Sequence, residues 1–167
     1  MSQSLYRLVR DLRPSNLDDL GLVPALNSLV SQDCQQKGLA VDFKVKGTQQ
    51  RLNPLVETVL FRVAQEALNN VCRHANVKQV RVELDYGCTQ VAIRISDKGT
   101  GFDPAENFNP PRGWGLAGMR ERVESLAGQL NLQSALGQGT TVEVVIPLAD
   151  EEGKELVYGH NNFTAGR

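Results

Sequence analysis

Apolar side chains alternate with polar ones along five segments of the chain, which is the pattern of strands that bury one face. The predicted strands are residues 39–47, 77–84, 90–96, 129–134 and 140–148. In four other segments apolar residues recur every three or four positions and predict helices: residues 4–12, a stretch between Pro24 and Gly38, residues 54–74 and residues 116–126. Short links between strands favour a mixed, mostly antiparallel sheet with the helices on one face, so the predicted fold is a two-layer α/β sandwich.

The long helix over residues 54–74 has a face that changes character along its length. The face begins with Leu55 and Val59 and continues, at the same spacing, with Glu66, Asn70 and Arg73. An unpaired polar group on a buried face costs about 1–3 kcal/mol. This face therefore either emerges into solvent or lines a site.

Length and charge exclude several classes of partner. The chain has 167 residues and a formal net charge of −1, so one domain is expected and no bulk attraction to nucleic acid or an anionic membrane. No apolar run reaches the roughly 18–20 residues that span a bilayer, and charged residues interrupt every early apolar stretch. Cys34, Cys72 and Cys88 are odd in number and lack metal-ligand spacing, which predicts a reduced, cytoplasmic compartment.

Two polar segments suggest ligand chemistry. In QEALNNVCRHA (65–75), Glu66 and Asn70 are four residues apart and share a helical face, where a carboxylate and a carboxamide suit Mg²⁺ with most of its waters retained. The alternative is an exposed polar pair. In DKGTGF (97–102), Asp97 at a strand end can accept a hydrogen bond from an exocyclic amine such as adenine N6, while two glycines leave bare backbone for a planar ligand. The alternative is a tight turn.

Two glycine pairs complete the set. Gly113 and Gly115 precede a helix, whose free N–H groups favour phosphate, although neither a Walker A loop nor a dinucleotide fingerprint is present. Gly137 and Gly139 fit an ordinary hairpin, next to which Thr140 adds a hydroxyl.

In this order and on these elements, the four segments resemble the N, G1, G2 and G3 boxes of the ATPase superfamily shared by DNA gyrase, the large heat-shock chaperones, MutL proteins and histidine kinases. EALNNVCRHA, SDKGTGFDP, GLAGMRERVESLAGQLNLQS and GQGTTVEVVIPL resemble sensor kinases of the nitrate-sensor and membrane-fluidity-sensor type. LVRDLRPSNLDDLGLVPAL resembles the end of that subgroup's second dimerisation helix and its linker. The resemblance implies a Bergerat-type ATP-binding fold.

The resemblance also implies roles for individual residues. Asn70 would ligate Mg²⁺ on the ATP phosphates, with Arg73 and His74 nearby. Glu66 would act with Asn70 in catalysis by polarising a water or the attacking group, and the acidic residue beside the phosphoacceptor histidine is the competing base. Asp97 would bind adenine. The other implied ATP-binding residues are Gly99, Gly101, Phe102, Gly113, Gly115, Leu116 and Thr140. Residues 102–114 would form a mobile ATP lid, and the sequence leaves the role of Trp114 open.

The implied organisation is a dimerisation-helix remnant with its linker over residues 1–19, an ATP-binding catalytic domain over 20–149 and a flexible tail over 150–167. Histidine kinases phosphorylate a histidine on the first dimerisation helix, and neither His74 nor His160 matches it. The chain is therefore expected to be a fragment, monomeric or weakly dimeric, that acts with a separate phosphoacceptor domain and a response regulator. The alternatives are a protein-serine kinase of the anti-sigma-factor type and a non-catalytic nucleotide-binding module.

Overall fold

A computed structural model describes residues 15–34, 36–104 and 114–148. Its helices are α1 (Ser15–Leu20), α2 (Leu22–Leu29), α3 (Pro54–Asn70) and α4 (Trp114–Glu124). π-helical turns extend α2 over Val30–Cys34 and α3 over Val71–Ala75. The strands are β1 (Ala40–Gly47), β2 (Gln79–Tyr86), β3 (Gln90–Asp97), β4 (Gln129–Ala135) and β5 (Gly139–Pro147). The helix predicted over residues 4–12 and the predicted tail lie outside the described residues.

The five strands form one sheet in the order β1-β2-β3-β5-β4. Strands β1 and β2 are parallel and are joined through α3, whereas the other three pairs are antiparallel. The helices cover one face, where β2, β3 and β5 each bury every second side chain. The predicted two-layer α/β sandwich with a mixed, mostly antiparallel sheet is confirmed.

The other face of the sheet is polar. Arg81 Nε lies 3.1 Å from Asp42 Oδ2, and Lys46 Nζ lies 3.1 Å from Glu83 Oε1, all on β1 and β2. These pairs are partly or largely exposed, so each contributes little to stability. Within the described residues, no helix is both long enough and apolar enough to cross a membrane.

Several element boundaries differ from the predicted ones for local reasons. Helix α2 begins at Leu22, before Pro24, because the first turn of a helix does not use the N–H that proline lacks. Strand β2 begins two residues later than predicted, because the π-helical turn ends in a left-handed Asn76 with φ of 53°. Helix α4 ends before the turn at residues 125–127, in which Ala127 has φ of 54°.

A buried carboxylate joins the N-terminal segment to the start of α3. Glu57 is 1% exposed and accepts from Leu52 N at 3.2 Å and from Arg51 through Nε at 3.2 Å and Nη2 at 3.3 Å. The same guanidinium donates to the carbonyl of Leu17, at 3.3 Å. Leu17 is fully buried in the common core, so α1 is packed on the domain.

Candidate functional site

The loop that follows β3 folds back onto the end of α3. Thr100 donates through its amide to the carbonyl of Ala75 at 3.0 Å and through Oγ1 to the carbonyl of His74 at 2.8 Å. The last carbonyls of a helix lack intrahelical partners, so Thr100 caps the extended helix. The two bonds hold the end of β3, with Asp97, beside the end of α3, with Asn70.

Asp97 is 8% exposed, and its Oδ1 accepts from Gly99 N at 2.7 Å. Within the described part of the chain, no hydrogen bond occupies its second carboxylate oxygen. A buried carboxylate with a spare acceptor is suited to a ligand that brings its own donor, such as an amine.

Glycines allow this loop to pack closely on both sides. A Cβ at Gly99 would overlap the carbonyl oxygen of Ala75, and one at Gly101 would overlap that of Ala135. Gly101 also has φ of +58°, which L side chains rarely adopt. These glycines were predicted as bare backbone for a planar ligand, and the structure adds a packing reason for both.

Asp97, Thr140 and Ser134 form a row across β3, β5 and β4. Thr140 is paired in register with Asp97 on one side and with Ser134 on the other, so the three side chains share the helix-covered face. Ser134 Oγ lies 2.9 Å from Phe102 N, 3.1 Å from the Gly139 carbonyl oxygen and 2.9 Å from Thr140 Oγ1. We name Asp97, Thr140 and Ser134 the polar row; it continues the apolar rows of the same face.

Glu66 lies against the first turn of α4. A Cβ at Gly115 would overlap its carboxylate oxygen Oε1, so the two residues are in close contact across the two helices. The next turn of α3 toward its N-terminus also faces α4: burial, and then the charge of Arg122, lowers the pKa of the Arg62 guanidinium from its ordinary value. The N-terminal turn of α4 favours a negative charge such as that of Glu66.

The remaining predicted site residues lie on the same elements or outside the description. Asn70 is half-buried at the end of α3, and its carboxamide has no hydrogen-bond partner in the described part of the chain. Arg73 and His74 are exposed in the π-helical turn. Gly113 and most of the predicted lid lie outside the described residues, as do the side chains of Trp114 and Leu116.

The side chains at the end of α3 could hold magnesium only if ligands from outside the protein completed its coordination shell. No group of three or more His, Cys, Asp or Glu side chains that could hold a metal occurs among the described residues. The unpaired amide oxygen of Asn70 is a hard ligand, and Mg²⁺ commonly takes one protein ligand together with phosphate oxygens and water. The residues present thus fit a metal that arrives with a polyphosphate.

Comparison with known proteins gives a consistent family. A model described as "Histidine kinase-, DNA gyrase B-, and HSP90-like ATPase" matches residues 55–150. The chain is 41% identical over 146 residues to the signal transduction histidine-protein kinase/phosphatase DegS of Brevibacillus brevis. This alignment covers 87% of this chain and 37% of that protein. It is 38% identical over 142 residues to the oxygen sensor histidine kinase NreB of Staphylococcus carnosus. That alignment covers 84% of this chain and 40% of that protein.

A solved structure shares the fold. The histidine kinase domain of a blue-light activated histidine kinase from Erythrobacter litoralis EL346 superposes with a TM-score of 0.58, at 22% identity, over 74% of this chain and 59% of that chain. The present chain spans about two-fifths of the length of the two curated relatives. It belongs to the family of histidine kinase-, DNA gyrase B- and HSP90-like ATPases, as the ATP-binding domain of a sensor histidine kinase.

Proposed function

We propose that the chain binds Mg-ATP and transfers the γ-phosphoryl group to a histidine on a separate phosphoacceptor domain in two-component signalling. One observation supports this most strongly: Thr100 hydrogen-bonds the loop after Asp97 to the end of the helix that carries Glu66 and Asn70. This contact supports a single site shared by the base-binding and phosphate-binding residues that the sequence predicts.

At the base end, Asp97 accepts a hydrogen bond from adenine N6 through the carboxylate oxygen that Gly99 leaves available. Thr140 stands beside Asp97 in the polar row and adds a hydroxyl next to the same edge of the base. Gly101 and Phe102 complete the loop that borders the base. Burial of Asp97 strengthens this contact because little water competes for the carboxylate.

At the phosphate end, Asn70 would hold Mg²⁺, which would supply charge neutralisation for the ATP phosphates. Arg73 is exposed in the π-helical turn that follows Asn70 and meets phosphate charge there, with His74 alongside. Gly115 and Leu116 lie in the first turn of α4, whose N–H groups favour phosphate, and we assign Gly113 to phosphate binding as well.

In the transfer step, a ring nitrogen of the acceptor imidazole forms the new N–P bond as the bond from phosphorus to the β,γ-bridging oxygen breaks, and the electron pair leaves with ADP. A base then takes the proton from the other ring nitrogen. Glu66, held at the first turn of α4, is one candidate for that base, and an acidic residue beside the acceptor histidine is the other. Catalysis consists mainly of positioning and charge neutralisation.

Nucleotide affinity tests the two ends of the site separately. Asp97→Asn should weaken Mg-ATP binding by roughly 1–3 kcal/mol, the cost of a lost buried hydrogen bond. Asn70→Asp should change the magnesium dependence more than the affinity for metal-free ATP. Asp85→Asn on the exposed face of β2 and Asn69→Asp, one residue from Asn70, are matched controls with the same chemical changes. If both site variants bind as wild type does, the site assignment is wrong.

Transfer chemistry tests the function. The chain is mixed with Mg-ATP labelled at the γ-phosphate and with a phosphoacceptor domain from a kinase of this family. We expect acid-labile, alkali-stable label on the acceptor domain. Acid-stable label would instead indicate a serine kinase of the anti-sigma-factor type. ATP binding without transfer to any supplied acceptor domain would indicate a non-catalytic nucleotide-binding module.

A further inference from the structure

Ser134 lies in none of the four boxes and has no assigned role, although it is the last residue of the longer segment GLAGMRERVESLAGQLNLQS that resembles sensor kinases. Its side chain is half-buried on the helix-covered face of β4, at the end of the polar row farthest from Asp97. Its single hydroxyl contacts three polar groups from two segments of the chain: the Phe102 amide, the Gly139 carbonyl and the Thr140 hydroxyl.

The chemistry of these three groups fixes the direction of the hydrogen bonds. The Phe102 amide can only donate, so it occupies one lone pair of Ser134 Oγ. The Gly139 carbonyl can only accept, so it takes the one Ser134 proton, at 3.1 Å. The second lone pair of Ser134 then accepts the proton of Thr140, at 2.9 Å. This is the arrangement that satisfies all three contacts at once.

A Thr140 hydroxyl whose proton points to Ser134 presents only lone pairs to its other neighbours. On that other side, in register, stands Asp97, which is an acceptor as well. The edge of a purine that meets these two residues therefore encounters acceptors in both positions. A 6-amino group has two protons to offer them, whereas a 6-oxo group has none.

We propose that Ser134 is a positioning residue that holds the Thr140 hydroxyl as an acceptor and so makes the site select a 6-amino over a 6-oxo purine nucleotide. The inference rests on the proposed function, because it requires a purine bound at Asp97. Without Ser134, the Thr140 hydroxyl is free to turn and donate to a 6-oxo group.

The test compares Mg-ATP with Mg-ITP, which replaces the 6-amino group by an oxygen and protonates N1. The ratio of the two dissociation constants, measured by calorimetry, should favour ATP in the wild type and should fall about three- to tenfold in Ser134→Ala, the range of one hydrogen bond. Ser134→Thr keeps the hydroxyl and should restore the wild-type ratio. Gln133→Ala, on the exposed face of the same strand, should not change it.

A double-mutant cycle separates positioning from general loosening of the site. Thr140→Val alone should lower the ATP preference, and Ser134→Ala should then add less than a twofold change in that background. A full effect of Ser134→Ala in the Thr140→Val background would overturn the inference, as would an unchanged ratio in Ser134→Ala alone. Failure of the proposed function is recognised separately, because Asp97→Asn would then leave ATP affinity unaltered.

Discussion

The contact between Arg51 and Glu57 gives a quantitative prediction for stability, because the two partners differ so much in burial. The Glu57 side chain is 1% exposed, whereas the Arg51 side chain is 55% exposed. Removing one partner of a fully buried pair costs about 3–5 kcal/mol. Arg51→Met also removes the bond to the Leu17 carbonyl, but water screens Arg51 and Glu57 keeps its bond from Leu52, so the free energy of unfolding should fall by less, about 2 kcal/mol.

Arg81→Met is the matched control. Arg81 is 56% exposed and also contacts a carboxylate, at 3.1 Å, but its partner Asp42 is 33% exposed. Loss of this pair should cost about 0–1 kcal/mol. Urea unfolding of both variants, analysed with a common m-value, measures the difference. Equal losses in the two variants would refute the reasoning that the buried carboxylate, rather than the arginine itself, sets the cost.

Three further changes test other contacts. Gly99→Ala should destabilise the domain by about 1–3 kcal/mol in urea unfolding, because the new Cβ overlaps the backbone carbonyl of Ala75; a neutral result would mean that the loop can shift. The new Cβ of Gly115→Ala would meet the flexible carboxylate end of Glu66, so we expect little loss of stability but slower phosphoryl transfer, and unchanged transfer would argue against a role for that carboxylate. Burial, and then Glu57, raises the pKa of Tyr86 above its ordinary value. The native state therefore keeps the Tyr86 proton to a higher pH than the unfolded state does. The protonated tyrosine stabilises the fold fully below about pH 10, and this stabilisation is lost as pH rises further. The free energy of unfolding should fall more steeply between pH 9 and 11 in wild type than in Tyr86→Phe, and parallel curves would contradict this.

The strands and the long helix were predictable because each buries one face. Alternation in residues 90–96 and 140–148 correctly predicted the positions of β3 and β5, including the apolar rows that end in Asp97 and Thr140. Element ends were less predictable, since they depend on backbone conformations such as the left-handed Asn76. The parallel pairing of β1 with β2 is also invisible in the alternation of either strand.

The sequence pointed to site residues through motifs and missed those that act through tertiary contacts. Thr100 lies inside the Asp-x-Gly-x-Gly segment, yet its value as a cap depends on carbonyls 25 and 26 residues away in the chain. Ser134 is one of several polar residues in its strand, and only the register with Thr140 distinguishes it. The burial of Glu57 could not be predicted, because its position in a mostly apolar helix does not indicate that an arginine from another segment covers it.

The two hydrogen bonds from Thr100 also hold the loop at the proposed base end of the site. Opening the loop beside Asp97 would leave the carbonyls of His74 and Ala75 without their donors, at a cost of roughly 0.5–1.5 kcal/mol for each bond. Under the proposed assignment, bonds within the chain itself hold the base end together, so binding of a purine there should require little ordering of the backbone. The free energy of purine binding should consequently carry little cost of ordering the loop. Adenosine alone should then compete with ATP for the site.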